Sequence, residues 1–384
     1  MSSIVVKPVE TAAEQDAFVY LPWQIYRADQ YWIPPMVDNL REMAGFAPHP
    51  FYEQNEVQSF IALRDGVACG RISAVVNRGH IARYKEQIGF FGLFESIDDE
   101  AVAHRLFDAA KAWLATKDLH WIRGPANMSL NHEIGLLIDG FDDAPYFMMT
   151  YNPPYYARLI ESYGFAKIQD MYSFWGHVEM LEGLDKKMRF IVDEATRRFN
   201  IKLRRLNTAR FEDEVRLFLN IYNQALGGTW GFVPISDKEL SHMANSLTYL
   251  MEPELTVIAE VDGKPVGALF CLLDFNPRIK QMDGGIFPFG FLQLLFNRRA
   301  IKRARFLSTN VIPEFQSWGV GLVMADHMVK PVIEYGITEV EFSWVLESNH
   351  LSRRSLERGG AKRTKTYRMY DYNRPADAEP PPSV

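Results

Sequence analysis

Cysteine is almost missing: two residues in 384, Cys69 and Cys271, far apart and each inside a hydrophobic, strand-like run. That excludes a disulfide framework and leaves no cysteine spacing for a metal site, so both read as core thiols in a reducing compartment. The opening residues Met1 to Pro8 contain no apolar stretch of the kind a secretory signal requires. No apolar run reaches the roughly 20 residues that span a bilayer. An excess of positive charge is lacking too. The net charge is −6, which argues against a general nucleic-acid binder, because such proteins displace counterions with a cationic surface. The expectation is a cytoplasmic protein with no metal and no nucleic-acid partner, still compatible with peripheral contact at the inner membrane.

What is present is the composition of a globular chain, 47% hydrophobic and 23% charged. At 384 residues it is long enough for two domains. In the second half, Thr256 to Glu260, the turn Asp262-Gly263-Lys264 and Pro265 to Leu273 read as a hairpin. A strand from Arg305 to Val311 follows, then a helix from Val320 to Tyr335 closed by Gly336. Thr338 to Leu346 reads as a strand, Asn349 to Arg358 as a helix, and Thr366 to Tyr372 as a last strand. The first half repeats the order: Ser59 to Leu63, the turn Arg64-Asp65-Gly66, Val67 to Val76, then a strand from Ile88 to Phe94. A helix from Asp99 to Thr116 follows, with apolar residues at a 3.6 period, then a short strand His120 to Arg123 and a helix opened by Pro153-Pro154. The pattern is a tandem duplication, 1–182 and 187–374, with a linker near Leu181 to Lys187 and a disordered tail 375–384.

The chemistry-bearing segment is Gln316-Ser317-Trp318-Gly319-Val320-Gly321, between a strand and an apolar helix. Glycines there let backbone approach a ligand, and a helix N-terminus presents unpaired N–H groups at its positive end. Val311-Ile312-Pro313-Glu314-Phe315 followed by that turn resembles the acyl-CoA-binding motif of the GNAT superfamily of N-acyltransferases, over about Leu203 to Tyr372. The resemblance implies two GNAT-like α/β (α+β) domains, each a mixed, mostly antiparallel sheet flanked by helices. It also implies acyl-CoA as co-substrate. Backbone groups of Val311, Ile312 and Pro313 would meet the pantetheine arm, and Gln316, Ser317, Trp318, Gly319, Val320 and Gly321 the pyrophosphate. In the family's second motif, Asn349 and Glu357 match, whereas Leu356 stands where many relatives carry a tyrosine that serves as general acid. The first half has lost the glycine turn: Glu95-Ser96-Ile97-Asp98-Asp99-Glu100 places carboxylates at a helix start, where they satisfy the helix dipole and repel a pyrophosphate.

Other candidates carry less information. Glu347, at the end of a strand beside the cofactor turn, could accept a proton from an amine or serve as a solvated cap, and Glu341 is a second choice on the same strand. His132 and Glu133 lie in the polar segment Asn127 to Glu133 and are base candidates or parts of a hydrogen-bonded loop. Trp230 and Phe232 follow a helix and are expected either to wall the acceptor or to pack in the core. Phe289 and Phe291 belong to the run Gly284 to Phe296, which precedes Arg298, Arg299, Lys302, Arg303 and Arg305. This combination reads as an interfacial segment facing acyl chains and an anionic membrane, or as a buried helix with cations on its rim. Gly92 to Glu95, Arg123 to Asn127 and Leu137 to Phe141 resemble bacterial tandem GNAT-type proteins, a group that includes bacterial ceramide synthases. The resulting expectation is transfer of a long acyl chain from acyl-CoA to a lipophilic amine such as a sphingoid base. An acetyltransferase for a small amine or peptide, and a CoA- or lipid-binding pseudoenzyme, stay open as alternatives.

Overall fold

The computed structural model describes residues 3–182, 186–285 and 290–378. Among the described residues, thirteen strands run β1 (Ile4–Pro8), β2 (Glu56–Arg64), β3 (Val67–Val76), β4 (Ile88–Ser96), β5 (Trp121–Gly124), β6 (Leu136–Asp139), β7 (Ala166–His177), β8 (Ile201–Arg204), β9 (Thr256–Val261), β10 (Lys264–Leu273), β11 (Arg303–Val311), β12 (Glu339–Leu346) and β13 (Lys362–Tyr372). Over the described residues the chain forms two compact units that are not sequential halves. The first takes Met1–Met171, Asn276–Phe291 and Lys365–Pro381; the second takes Tyr172–Phe275 and Leu292–Thr364.

The first unit orders its strands β1-β2-β3-β4-β5-β13, with β6 also on β13. Its core sits between this sheet and the helix Glu100–Ala115, where Val102, Leu106, Phe107, Ala110 and Leu114 are buried with Phe91, Phe94 and Phe165. The apolar period of that helix is therefore its buried face. The second unit orders β12-β11-β10-β9-β8. Helix Phe211–Ala225 and helix Val320–Tyr335 both pack on β10 and β11.

The two units share a local grammar. Each hairpin turns on Asp-Gly, with Asp65 at φ 51° and Gly66 at 83°, and Asp262 at φ 50° and Gly263 at 76°. Two consecutive left-handed residues define the turn whose twist matches the flanking strands. In each unit the strand after the hairpin is irregular against its antiparallel partner: β4 on β3 between Arg71 and Ser73, β11 on β10 at Phe270/Cys271. Each then runs parallel to the following strand for only a few residues, Ile88–Phe90 beside Trp121–Arg123 and Arg303–Phe306 beside Glu339–Phe342. Each unit carries a mixed, mostly antiparallel set of strands, as the element order predicts.

One expectation is refined. The stretch expected to be a linker is helical where described, Val178–Glu182 and then Lys186–Arg198. The second of these helices packs on helix Val320–Tyr335, which gives it a partner that no local signal announces. No described helix is long and apolar enough to cross a membrane.

Candidate active site

In the second unit, β11 leaves β12 after Phe306 but stays paired with β10 as far as Val311. The parallel strands therefore open into a wedge. At its end Ile312 donates its N–H to the Val266 carbonyl at 3.0 Å, and a short turn Pro313–Trp318 leads to Gly319. Gly319 holds φ 77° and starts helix Val320–Tyr335 with no side-chain cap. Its first-turn amides lack helical acceptors, and the dipole makes that end positive. A Cβ on Gly321 would lie 3.5 Å from the Thr309 methyl, so the glycine seats the helix close on β11.

The expected cofactor residues gather at this turn, with some already engaged. Gln316 Nε2 donates to the Val311 carbonyl at 3.0 Å, so the side chain braces the turn and leaves the backbone amides to meet an anion. Trp318 stacks on Phe199, centroids 4.3 Å apart, and meets Phe315 edge-on at 4.7 Å. Asn349 Oδ1 accepts from the Ser352 N–H at 3.0 Å and caps helix His350–Arg358. Glu347 lies half-buried in the turn after β12, and its backbone carbonyl accepts from Arg353 at 2.8 Å. Leu356 packs against Tyr172, Phe174 and Val345, an apolar role in the tyrosine's place. Trp230 is half-buried, while Phe232 is buried with its ring 5.5 Å from that of Tyr222. Phe289 lies outside the described residues, as does the side chain of Phe291.

His132 and Glu133 belong to the first unit. The Ser129 hydroxyl and His132 Nδ1 are 2.8 Å apart, and Asn127 Nδ2 donates to the Glu133 carboxylate at 3.2 Å. They help to build a hydrogen-bonded loop.

The basic cluster requires a correction. Arg298 pairs with Glu252 at 2.8 Å, Arg299 with Glu254 at 2.7 Å, and Arg303 with Asp274 at 3.4 Å. Arg305 is buried within β11, where Nε donates to Ser343 Oγ at 2.8 Å and a terminal nitrogen to the Ser343 carbonyl at 3.1 Å. The Ser343 hydroxyl in turn donates to Glu341 at 2.7 Å. Four of the five cations are thus matched internally, so the charge expected to face an anionic membrane has other work. Leu292 and Phe296 do remain exposed. Ser343 and Tyr222 are residues that sequence reasoning missed, and Arg305 was placed in the wrong setting. Burial pushes the Tyr222 phenol up to about 12, opposed by the charge of Arg305. Arg305 faces Glu341 only through the register of β11 on β12, which local patterns do not encode.

The first unit's wedge is closed by its own chain. The Ala126 N–H donates to the Phe91 carbonyl at 2.8 Å, and Asn127 Oδ1 accepts from the Leu93 N–H at 2.8 Å. A Cβ on Gly92 would stand 2.4 Å from the Ala126 carbonyl oxygen, so the fit depends on glycine. Helix Glu100–Ala115 is capped by Asp99, which accepts from Ala101 N–H at 2.8 Å and pairs with Arg64. Arg158 engages Asp98 and Glu100. Glu95 lies between the hydroxyls of Tyr156 at 2.7 Å and Tyr26 at 2.9 Å, and burial pushes its carboxyl up.

An open wedge ending in an uncapped glycine-started helix, repeated with the wedge filled, defines a tandem GNAT-type fold. No family model matches the chain. A tandem GNAT protein from the clavulanic acid biosynthesis pathway superposes with a TM-score of 0.56 at 10% identity, covering 98% of this chain and 100% of that one. The chain is 33% identical over 361 residues to protein YghO of Escherichia coli K12, covering 92% of each. It is 32% identical over 375 residues to the bacterial ceramide synthase of Caulobacter vibrioides, covering 95% of this chain and 96% of that one. The chain belongs to the family of this bacterial ceramide synthase, and it is a tandem GNAT-type acyltransferase.

Proposed function

We propose that this protein transfers a long acyl chain from acyl-CoA to a lipophilic amine such as a sphingoid base. The single observation that carries the acyl-CoA part is the open β11–β12 wedge leading to Gly319 and an uncapped helix, set against the self-filled wedge of the first unit. The acceptor class is supported by the relative named bacterial ceramide synthase. In this reading 187–374 is the catalytic repeat and 1–182 a copy that does not bind CoA. The pyrophosphate lies against the amides of Gly319, Val320 and Gly321, where anion and dipole attract.

The free amine attacks the thioester carbonyl, so that the C–N bond forms and the C–S bond breaks. The nitrogen's proton goes to Glu347, and the departing thiolate takes a proton from solvent, since Leu356 offers none. Positioning of the two reactants supplies much of the acceleration.

Incubating the protein with mixed acyl-CoAs and a panel of amines, and identifying the new amide by mass spectrometry, tests the proposal. Long-chain amides of lipophilic amines are the expected products. Acetylation of small amines alone would establish the small-substrate alternative, and binding of CoA without turnover the pseudoenzyme.

A further inference from the structure

Helix Lys186–Arg198 precedes Leu203, where the stretch that resembles the acyl-CoA-binding motif region begins, yet the fold carries it to the cofactor turn. Its contacts give its course. The Val178 N–H donates to the Thr338 carbonyl at 2.9 Å, so helix Val178–Glu182 starts beside the C-terminal end of helix Val320–Tyr335. Helix Lys186–Arg198 then packs along Val320–Tyr335 with Val192 and Ala195 buried. Ala195, in its last turn, meets the start of the other helix: a Cβ on Gly319 would lie 3.4 Å from the Ala195 methyl. The two helices therefore run in opposite directions, and the end of one arrives beside the uncapped N-terminus of the other. Asn200, at φ 49°, closes the helix, and β8 begins at Ile201 opposite Val261.

Side chains lead outward from the turn to a cation. Trp318 stacks on Phe199, and the Arg198 guanidinium lies 5.2 Å from the Phe199 ring centroid. Other cations nearby have acids. Arg197 is 2.7 Å from Glu194, and Lys264, whose ammonium lies over the Phe315 ring, is 3.6 Å from Glu314. Arg198 is exposed and has no carboxylate partner among the described residues. A helix C-terminus is negative, so a bare last turn beside the cofactor turn would repel a phosphate, and a cation there reverses that field. Three positions on from Ala195, Arg198 starts about 5–6 Å from the residue that touches Gly319. An arginine of that placement reaches a ligand group one ribose away from the Gly319 amide.

We propose that Arg198 binds the 3′-phosphate of CoA, and so makes the protein select CoA over its 3′-dephospho form. The inference rests on the acyl-CoA reading above, in which the amides of Gly319, Val320 and Gly321 hold the pyrophosphate. The 3′-phosphate hangs on the ribose beyond that pyrophosphate and needs a partner of its own. A guanidinium presents a planar fork of donors that matches phosphate oxygens, and it stays charged at every working pH. Arg198 acts on the nucleotide end of the donor alone, away from the thioester and the amine.

Calorimetry on the full-length protein compares CoA with 3′-dephospho-CoA for wild type, Arg198→Ala, Arg198→Glu and Arg197→Ala. Wild type should bind CoA about five-fold or more tightly than the dephospho form, the scale of a charge-assisted pair at an exposed site. The preference should shrink as salt is raised to about 0.5 M. Arg198→Ala should abolish it by weakening CoA alone, leaving dephospho-CoA within about two-fold of wild type. Arg198→Glu should invert the preference, and Arg197→Ala should keep it. With long-chain acyl-CoA as donor, Arg198→Ala should raise KM and leave kcat within about two-fold. Equal losses on the two nucleotides, or as large a loss of preference in Arg197→Ala, would overturn the assignment. If Arg198→Ala fails to fold, Arg198→Lys, which keeps a charge without the fork, should show a smaller preference than wild type, and an unchanged one overturns the proposal. Wild type binding both nucleotides equally tightly overturns this inference alone. Wild type binding neither overturns the acyl-CoA reading, and this inference with it.

Discussion

Replacing Gly319 with glutamate probes the cofactor turn through two separable effects. The first is conformational. Gly319 holds φ 77°, and an L side chain there costs about 1–2 kcal/mol. Space is not the obstacle, since the nearest heavy atom to an added Cβ is the Ala195 methyl at 3.4 Å. The second effect is charge. A carboxylate about 4–5 Å from a pyrophosphate, at the dielectric of a protein surface, costs roughly 3–4 kcal/mol for a single charge pair. It also cancels part of the attraction of the helix terminus. The charge effect alone corresponds to a loss of several hundred-fold in affinity. Gly319→Asn separates the two, because asparagine tolerates the left-handed region and is neutral. Calorimetry with CoA should show a loss of less than about ten-fold for Gly319→Asn and near-abolition for Gly319→Glu. Asp98→Lys, on the surface of the first unit, should leave affinity unchanged. Wild-type affinity in Gly319→Glu, or equal losses in the two Gly319 variants, would refute the reasoning; a comparable loss in Asp98→Lys would move the site to the first unit.

Glu347→Gln should lower kcat by ~10²–10⁴-fold with little change in KM; if turnover persists across the pH range in steady-state assays, His132 and Glu133 are the next groups to substitute. Asp99→Ala removes the cap of helix Glu100–Ala115 and should cost about 1–2 kcal/mol in denaturant unfolding at neutral pH. Arg64 beside Asp99 holds its carboxyl below the usual value of 3.8, so this stabilisation is fully present above pH 3.8 and is lost as pH falls through the lowered folded value. The difference between wild type and variant should therefore shrink in acid, and a difference that stays constant would show that the carboxylate charge contributes nothing.

Some of this was legible in the chain because the signals are local. Helix Val320–Tyr335 ends at Gly336, φ 99°, where the glycine predicted it, and both Asp-Gly hairpins turn as their dipeptides require. Position-specific chemistry at a turn or a cap is set by a few neighbouring residues, so it survives in sequence. The helix Lys186–Arg198 was not legible, since its polar run carries exposed Phe190 and Ile191 and its packing partner lies more than a hundred residues further along the chain. Arg305 misleads for the opposite reason. It stands among basic residues in sequence, but the parallel register brings it opposite Glu341 and the sheet buries it. The filling of the first wedge by Ala126 and Asn127 likewise depends on a contact across 34 residues, from Asn127 back to Leu93.

The two wedges make different demands on a ligand, and that difference is measurable amide by amide. Backbone polar groups must find partners, from the chain or from something that binds it. In the first unit the chain supplies them: the Leu93 N–H is taken by Asn127, and the Ala101 N–H by Asp99. In the second unit the corresponding helix begins at Gly319 without a side-chain acceptor. A ligand that completes the second wedge must therefore stabilise that wedge and leave the first indifferent. At a CoA concentration 100 times Kd, binding adds about 2.7 kcal/mol to any opening that releases the ligand, or roughly a hundred-fold slowing of exchange. Hydrogen exchange followed by mass spectrometry should show that slowing across Arg303–Val311 and the first turns of Val320–Tyr335, with Ile88–Ser96 and Glu100–Ala115 unchanged. Protection in Glu100–Ala115 equal to that in Val320–Tyr335 would mean that the self-filled wedge binds cofactor as well. The contrast between a capped and an uncapped helix would then have no bearing on which repeat does the chemistry.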